Sequence, residues 1–234
     1  MFSVVPEKFF VRIFAGCFLF SMFALSSAVL NPALLLAPAI IFILFLVWWS
    51  VDCAFRTESF SKYVTLRMFY SLSLPPALAF ALLLALMHKE LKSTSLFAVV
   101  VSCVPLVITA ILYFLVRAFY DHKCTLVVCG QRVEIKEVEP KNQAVLAGVL
   151  AAIGGLLFPV FQLYEVAYSL LVIALIGASL YMVLWNRANI SALRALKEQE
   201  VRARCHYTFM NIEEIREKRA ASLIGRLFAS KAGR

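Results

Sequence analysis

The chain has 234 residues, of which 62% are hydrophobic and 16% charged, with a mean hydropathy of +0.86 and a formal net charge of +9. Soluble globular domains carry roughly a quarter charged residues, so this composition excludes a soluble domain and marks an integral membrane protein. The positive excess is read as membrane threading and attraction to anionic lipids at the cytosolic face, not as affinity for nucleic acid.

Between Met1 and Arg12 the chain has the charge of a signal n-region, and Phe14-Ala15-Gly16-Cys17 has the outline of a lipoprotein cleavage box. Only about four apolar residues separate Arg12 from Cys17, where a cleavable signal needs roughly 7 to 15. Ser26-Ser27-Ala28 offers small residues further on, but the first span is expected to be retained. The charge-free interval Ile13 to Val51 is long enough for two crossings of roughly 20 residues each, divided at Asn31-Pro32. Phe55 to Arg67 reads as a short cytosolic link whose Phe55, Phe60 and Tyr63 can dip into the headgroups.

The second hairpin comprises Met68 to Met87 and Ser93 to Val116. Its first helix carries Ser71, Ser73, Pro75 and Pro76, which predict a kink or a break because two backbone donors are missing. Pro105 predicts a second kink in the returning helix. A discontinuous helix is one way to build a gate or a substrate site, and a packed kink is the commoner one.

Arg117 to Gln143 is the only long polar interval between hydrophobic segments. Within it, Thr125 to Cys129 and Arg132 to Val138 flank Gly130-Gln131, which predicts a β-hairpin with a tight turn. Val133 and Ile135 fall on one face, and an isolated hairpin is marginal in water, so that face needs a covering partner.

The third hairpin is formed by Ala144 to Tyr164 and Val166 to Asn186. Ala147, Ala151 and Gly155 line one face of its first helix, with Gly148 and Ala152 on the adjacent one. Such a smooth surface predicts close helix packing, within the chain or in a homo-oligomer. Ala174, Gly177 and Ala178 of the last span offer an answering surface.

Past Trp185 the chain turns polar, predicting a helix to Arg204 with Glu198–Arg202 and Glu200–Arg204 pairs. A break at Cys205 to Met210 follows, then a second helix from Asn211. The latter places Ile212, Ile215, Leu223 and Leu227 on one side, with Arg216, Lys218 and Arg219 around it. That is a basic amphipathic helix, suited to anionic lipid, to the hairpin, or to a partner.

Basic residues stay on the cytoplasmic side of short loops. With both termini inside, all but two of the 23 basic residues, Lys89 and Lys92, are cytosolic. Residues 1–116 are thus the first four spans, 117–143 the hairpin loop, 144–186 spans five and six, and 187–234 the tail. The expected fold is an all-α polytopic membrane protein: six transmembrane helices in three hairpins, a small cytosolic β-hairpin and a helical tail.

The span interiors hold no Asp, Glu, Lys, Arg or His, which proton relays and ion-coupled sites usually require. There is no Walker loop, zinc-protease helix or nucleophile elbow. His122, Cys124, Cys129, Cys205 and His206 lack a zinc spacing, so no metal, cofactor or catalytic residue is assigned. Three classes remain: a non-enzymatic membrane subunit of an exclusion, immunity, defence or secretion-type assembly, a small channel or solute transporter, and a membrane enzyme. The first is expected, in a bacterial inner membrane.

Overall fold

The computed structural model describes residues 6–91, 96–120, 126–130, 132–135, 167–222 and 225–226, and side chains for most of them. Helix α1 (Phe9–Leu30) folds back at Asn31 into α2 (Pro32–Val51), where Pro32 occupies the first helical turn and its missing N–H costs nothing. The end of α2 widens into a π-type turn, Asp52–Arg56, closed by a bond from the Thr57 N–H to the Asp52 carbonyl at 2.9 Å. Helix α3 (Phe60–Leu91) follows, 32 residues long.

The returning span is divided. Helix α4 (Leu96–Ser102) ends at Cys103 and α5 (Val104–Phe119) begins there, with Pro105 in its first turn. The discontinuity foreseen in this hairpin therefore falls at Pro105, while α3 runs through Pro75 and Pro76 without a break. Pro105 has no N–H to continue the ladder, and the hydroxyl of Ser102 bonds the Ala98 carbonyl at 2.7 Å just before it.

Strands β1 (Leu126–Cys129) and β2 (Arg132–Ile135) pair antiparallel, Cys129 opposite Arg132 and Leu126 opposite Ile135. Gly130, at φ +65°, supplies the left-handed residue of the two-residue turn. Helix α6 (Ala167–Trp185) returns to the polar face and bends by 50° at Asn186 into α7 (Arg187–Ala203). The Asn186 amide bonds the Met182 carbonyl at 2.9 Å and its oxygen accepts from Asn189 at 3.0 Å, so a polar side chain holds the bend. After a left-handed Arg204, β3 (Thr208–Phe209) pairs parallel to β2, and α8 (Ile212–Ala221) follows.

Among the described residues, four stretches are long and apolar enough to cross a membrane: Phe9–Leu30, Pro32–Arg56, Phe60–His88 and Leu96–Phe119. The bent pair α6–α7 makes a fifth if taken as one span. Of the expected six, the span Ala144 to Tyr164 lies outside the described residues, and with it Ala147, Gly148, Ala151, Ala152 and Gly155. Nothing described comes within 4 Å of a Cβ placed on Gly177, the small residue offered as the answering surface in the last span.

Helix α3 is the hub, packing on α1, α5 and α6. It meets α1 closely: a Cβ on Gly16 would clash with the Tyr70 ring, at 2.7 Å from Cε2. The Tyr70 hydroxyl meets Ser50 Oγ of α2 at 2.8 Å, and the ring stacks on Phe20 with centroids 5.5 Å apart. Gly16, read in sequence only as part of a cleavage box, is thus where three helices converge.

Gly16→Ala is expected to lower stability by about 1–3 kcal/mol through overpacking, measured as a fall in melting temperature in detergent. Combining it with Tyr70→Ala should cost less than the sum of the two changes, because the ring is what the new methyl meets. Strict additivity would show that the crossing relaxes without strain.

Candidate functional site

The polar ends of the helices carry a layer built from the α2–α3 link, the β-hairpin and the tail. Its construction starts with helix termini. The last carbonyls of a helix have no partner in the helix itself, and the π-type turn ends α2 with the Cys53 and Ala54 carbonyls directed at α8. Arg219 answers them: its Nε donates to the Ala54 carbonyl at 2.7 Å, and its Nη2 to the Thr57 carbonyl at 2.7 Å and the Cys53 carbonyl at 3.4 Å. The residue is 8% exposed. A cation at a helix C-terminus is also favoured by the helix dipole.

Beside it, Arg216 grips Glu58 in a two-pronged pair, Nε to Oε1 at 2.8 Å and Nη2 to Oε2 at 2.7 Å. The hydrogen bond from Arg216 holds the Glu58 carboxyl below the ordinary glutamate value, and burial draws the Arg219 guanidinium down from its own. Arg219 stays a cation throughout, since a guanidinium does not deprotonate in proteins.

The second attachment is aromatic. Phe209 of β3 enters a cage of Phe9, Phe60 and Tyr63, with ring centroids 5.7, 5.6 and 5.4 Å away and all three edge-to-face. The cage stitches the start of α1 to the start of α3. One backbone bond and one to a side chain fix the strand there, from Phe60 N–H to the Tyr207 carbonyl at 2.9 Å and from Tyr207 N–H to Glu200 Oε1 at 3.1 Å.

The hairpin is the third member. Val133 stands opposite Phe209 in the sheet and is buried, and Ile212 and Ile215 of α8 are buried too. Arg132 donates to the Met210 carbonyl at 3.3 Å and pairs with Glu213 at 2.5 Å. Hairpin and tail, each with an apolar side in search of cover, meet one another and the bundle.

Several expectations shift. Phe60 and Tyr63 are covered by the tail instead of reaching headgroups, and Arg219 lies beneath α8 instead of among its exposed cations. Glu198 pairs with Arg194 at 2.9 Å, not with Arg202, and Glu200 turns to Tyr207. Helix α8 ends at Ala221, so Leu223 and Leu227 fall outside the described residues, as does the side chain of Ile135. Ser73 and Pro76 face a cavity between α3 and α5. Pro75 and Ser71 lie in the same helix, half-buried. Among the described residues, no three His, Cys, Asp or Glu side chains gather as metal ligands. Sequence reasoning missed Glu58, Phe209 and the role of Arg219. The run Tyr207-Thr208-Phe209-Met210 has strand character that could have flagged the second.

Comparison with family models, with curated proteins and with solved structures finds no match to this chain.

Arg219→Ala should release α8, because three carbonyls lose a charged donor, and charge-assisted bonds are worth about 1.5–3 kcal/mol. Faster amide exchange across Ile212–Ala221 in detergent is the expected readout. Arg219→Lys should rescue little, since an ammonium cannot reproduce the fork. Glu58 makes a smaller, pH-dependent contribution: its folded pKa is depressed, so the stabilisation is present above the ordinary value of 4.5 and lost as pH falls through the folded one. A spin label at Glu217 should gain mobility on acidification in the wild type, and Glu58→Gln should remove most of that dependence. Exposure of the Arg216–Glu58 pair keeps this effect below about 1 kcal/mol.

Proposed function

We propose that this protein is a non-enzymatic membrane subunit that presents a rigid polar platform to a protein partner, in a bacterial inner membrane with both termini and the platform in the cytosol. The observation that carries the reading is the fate of the tail helix. Its apolar side, Ile212 and Ile215, is turned inward and Arg219 with it, while Glu213, Glu214, Arg216 and Glu217 are exposed. A helix that lies on lipid needs its apolar side free and its polar side basic. Here the outward side is of mixed sign and includes three glutamates, which favours a protein surface over an anionic bilayer. Uncharged span interiors support a role in association over ion-coupled chemistry. Membership of an exclusion, immunity, defence or secretion-type assembly, and self-association in the membrane, belong to this reading.

A small solute transporter is the second reading. It draws on the divided span at Cys103.

Reporters fused after Lys89 and after Lys141 should read outside and inside. A photo-crosslinking residue at Glu213 or Glu217 should give one adduct of defined mass in cells, lost when Arg219→Ala undocks the tail. A protein that is monomeric in mild detergent and gives no adduct from either position would sink the platform reading.

A further inference from the structure

A cavity of about 330 Å3 lies between α2, α3, α5, α6 and α7. Trp49, Ser73, Pro76, Thr109, Tyr113 and Leu193 are among its lining. It extends along α3 from Thr65 to Pro76, about 16 Å at the rise of a helix. Its wall is almost wholly carbon, and the Thr109 hydroxyl is already engaged, donating to the Pro105 carbonyl at 2.7 Å and meeting Ser179 Oγ at 3.0 Å. Such a wall offers water or a hydrated solute few bonds to replace those it would lose. Hydrocarbon meets no such penalty.

Two cations stand one helical turn beyond the polar end of this cavity. Tyr113 and Phe114 line it, and Arg117 stands one helical turn further along the same side of α5; Leu193 lines it, and Lys197 stands one turn further along α7. Arg194 draws the two helices together, donating from Nη1 to the carbonyls of Arg117 at 2.8 Å and Ala118 at 3.1 Å. Burial holds the Lys197 ammonium below its ordinary pKa, with Arg117 adding to the effect and Glu200 opposing it. Two nearby positive charges at the mouth of an apolar cleft complement a negative headgroup carrying a hydrocarbon chain.

We propose that this cleft binds an anionic phospholipid, one acyl chain lying along α3 beside Trp49 and Thr109, and the headgroup phosphate at Arg117 and Lys197. The site is separate from the platform and does not depend on a protein partner.

Trp49 is the natural reporter. The chain has three tryptophans. Trp48 and Trp185 are 58% and 51% exposed, so they sample the surrounding lipid. Trp48→Phe with Trp185→Phe leaves Trp49 alone. In vesicles of phosphatidylcholine containing a minor fraction of chain-brominated phosphatidylglycerol, Trp49 fluorescence should be quenched more than with the same fraction of brominated phosphatidylcholine. Arg117→Gln and Lys197→Gln should each reduce that preference about fivefold, the factor for about 1 kcal/mol per cation. Ser73→Phe, which fills the cleft, should abolish it. A protein with Trp185 as its sole tryptophan should show no comparable preference. Should the charge variants not fold, raising the salt to 1 M around the otherwise unaltered reporter should cut the preference by screening. Equal quenching of Trp49 by the two lipids, a preference that survives charge removal or salt, or the same preference at Trp185 would each overturn the site.

Discussion

A helix that ends in the interfacial region must find donors for its last carbonyls, and in this protein the donor comes from more than 160 positions away in sequence. Arg219 reaches the end of α2 and converts a local deficit into a tertiary constraint. The π-type turn at Asp52–Arg56 matters here, since it presents the Cys53 and Ala54 carbonyls as a shallow acceptor surface that a planar guanidinium can cover. Burying that cation is unfavourable in isolation, as its lowered pKa records. Three acceptors, the helix dipole and Glu58 at 4.0 Å together offset the burial.

Once α8 is pinned, the rest of the layer follows. The tail can reach α2 only if the chain reverses after α7, which the left-handed Arg204 accomplishes. The reversal delivers Phe209 to the gap between Phe9, Phe60 and Tyr63. β3 then lies where β2 can pair with it, and the hairpin gains the third strand that a two-stranded ribbon needs for stability in water. A charge, an aromatic anchor and a sheet thus attach the layer at three places.

Much of this was legible in sequence because it depends on local pattern. The apolar intervals mark the helices, the Gly130 turn marks the hairpin, and the inward sides of Val133, Ile212 and Ile215 follow from periodicity. What could not be read depends on long-range partners. Arg219 sits among other basic residues of the tail, and nothing local distinguishes a guanidinium destined for backbone carbonyls from one destined for solvent. Gly16 looks like a processing signal until Tyr70 is placed against it, and Pro75-Pro76 looks like a break although α3 runs through it. Phe209 falls in a short run whose strand character is legible in sequence, while its partner β2 and its aromatic cage are not.

The division of labour along α3 is the last consequence. Its first turns, from Phe60 to Tyr63, are covered by the tail, so this end of the hub is tied to the polar layer. One turn further in, Thr65 and Phe69 face the cavity, and Tyr70 on the opposite side locks α1 and α2. A movement of the tail acts on a helix that also forms the wall of the cleft, while the Gly16–Tyr70 crossing resists tilting of that helix toward α1. On the side of α5 the backbone ladder lacks the donor of Pro105, next to the division at Cys103. The cleft and the platform thus share α3, while the divided span at Cys103 lies at the end of the cleft away from the platform.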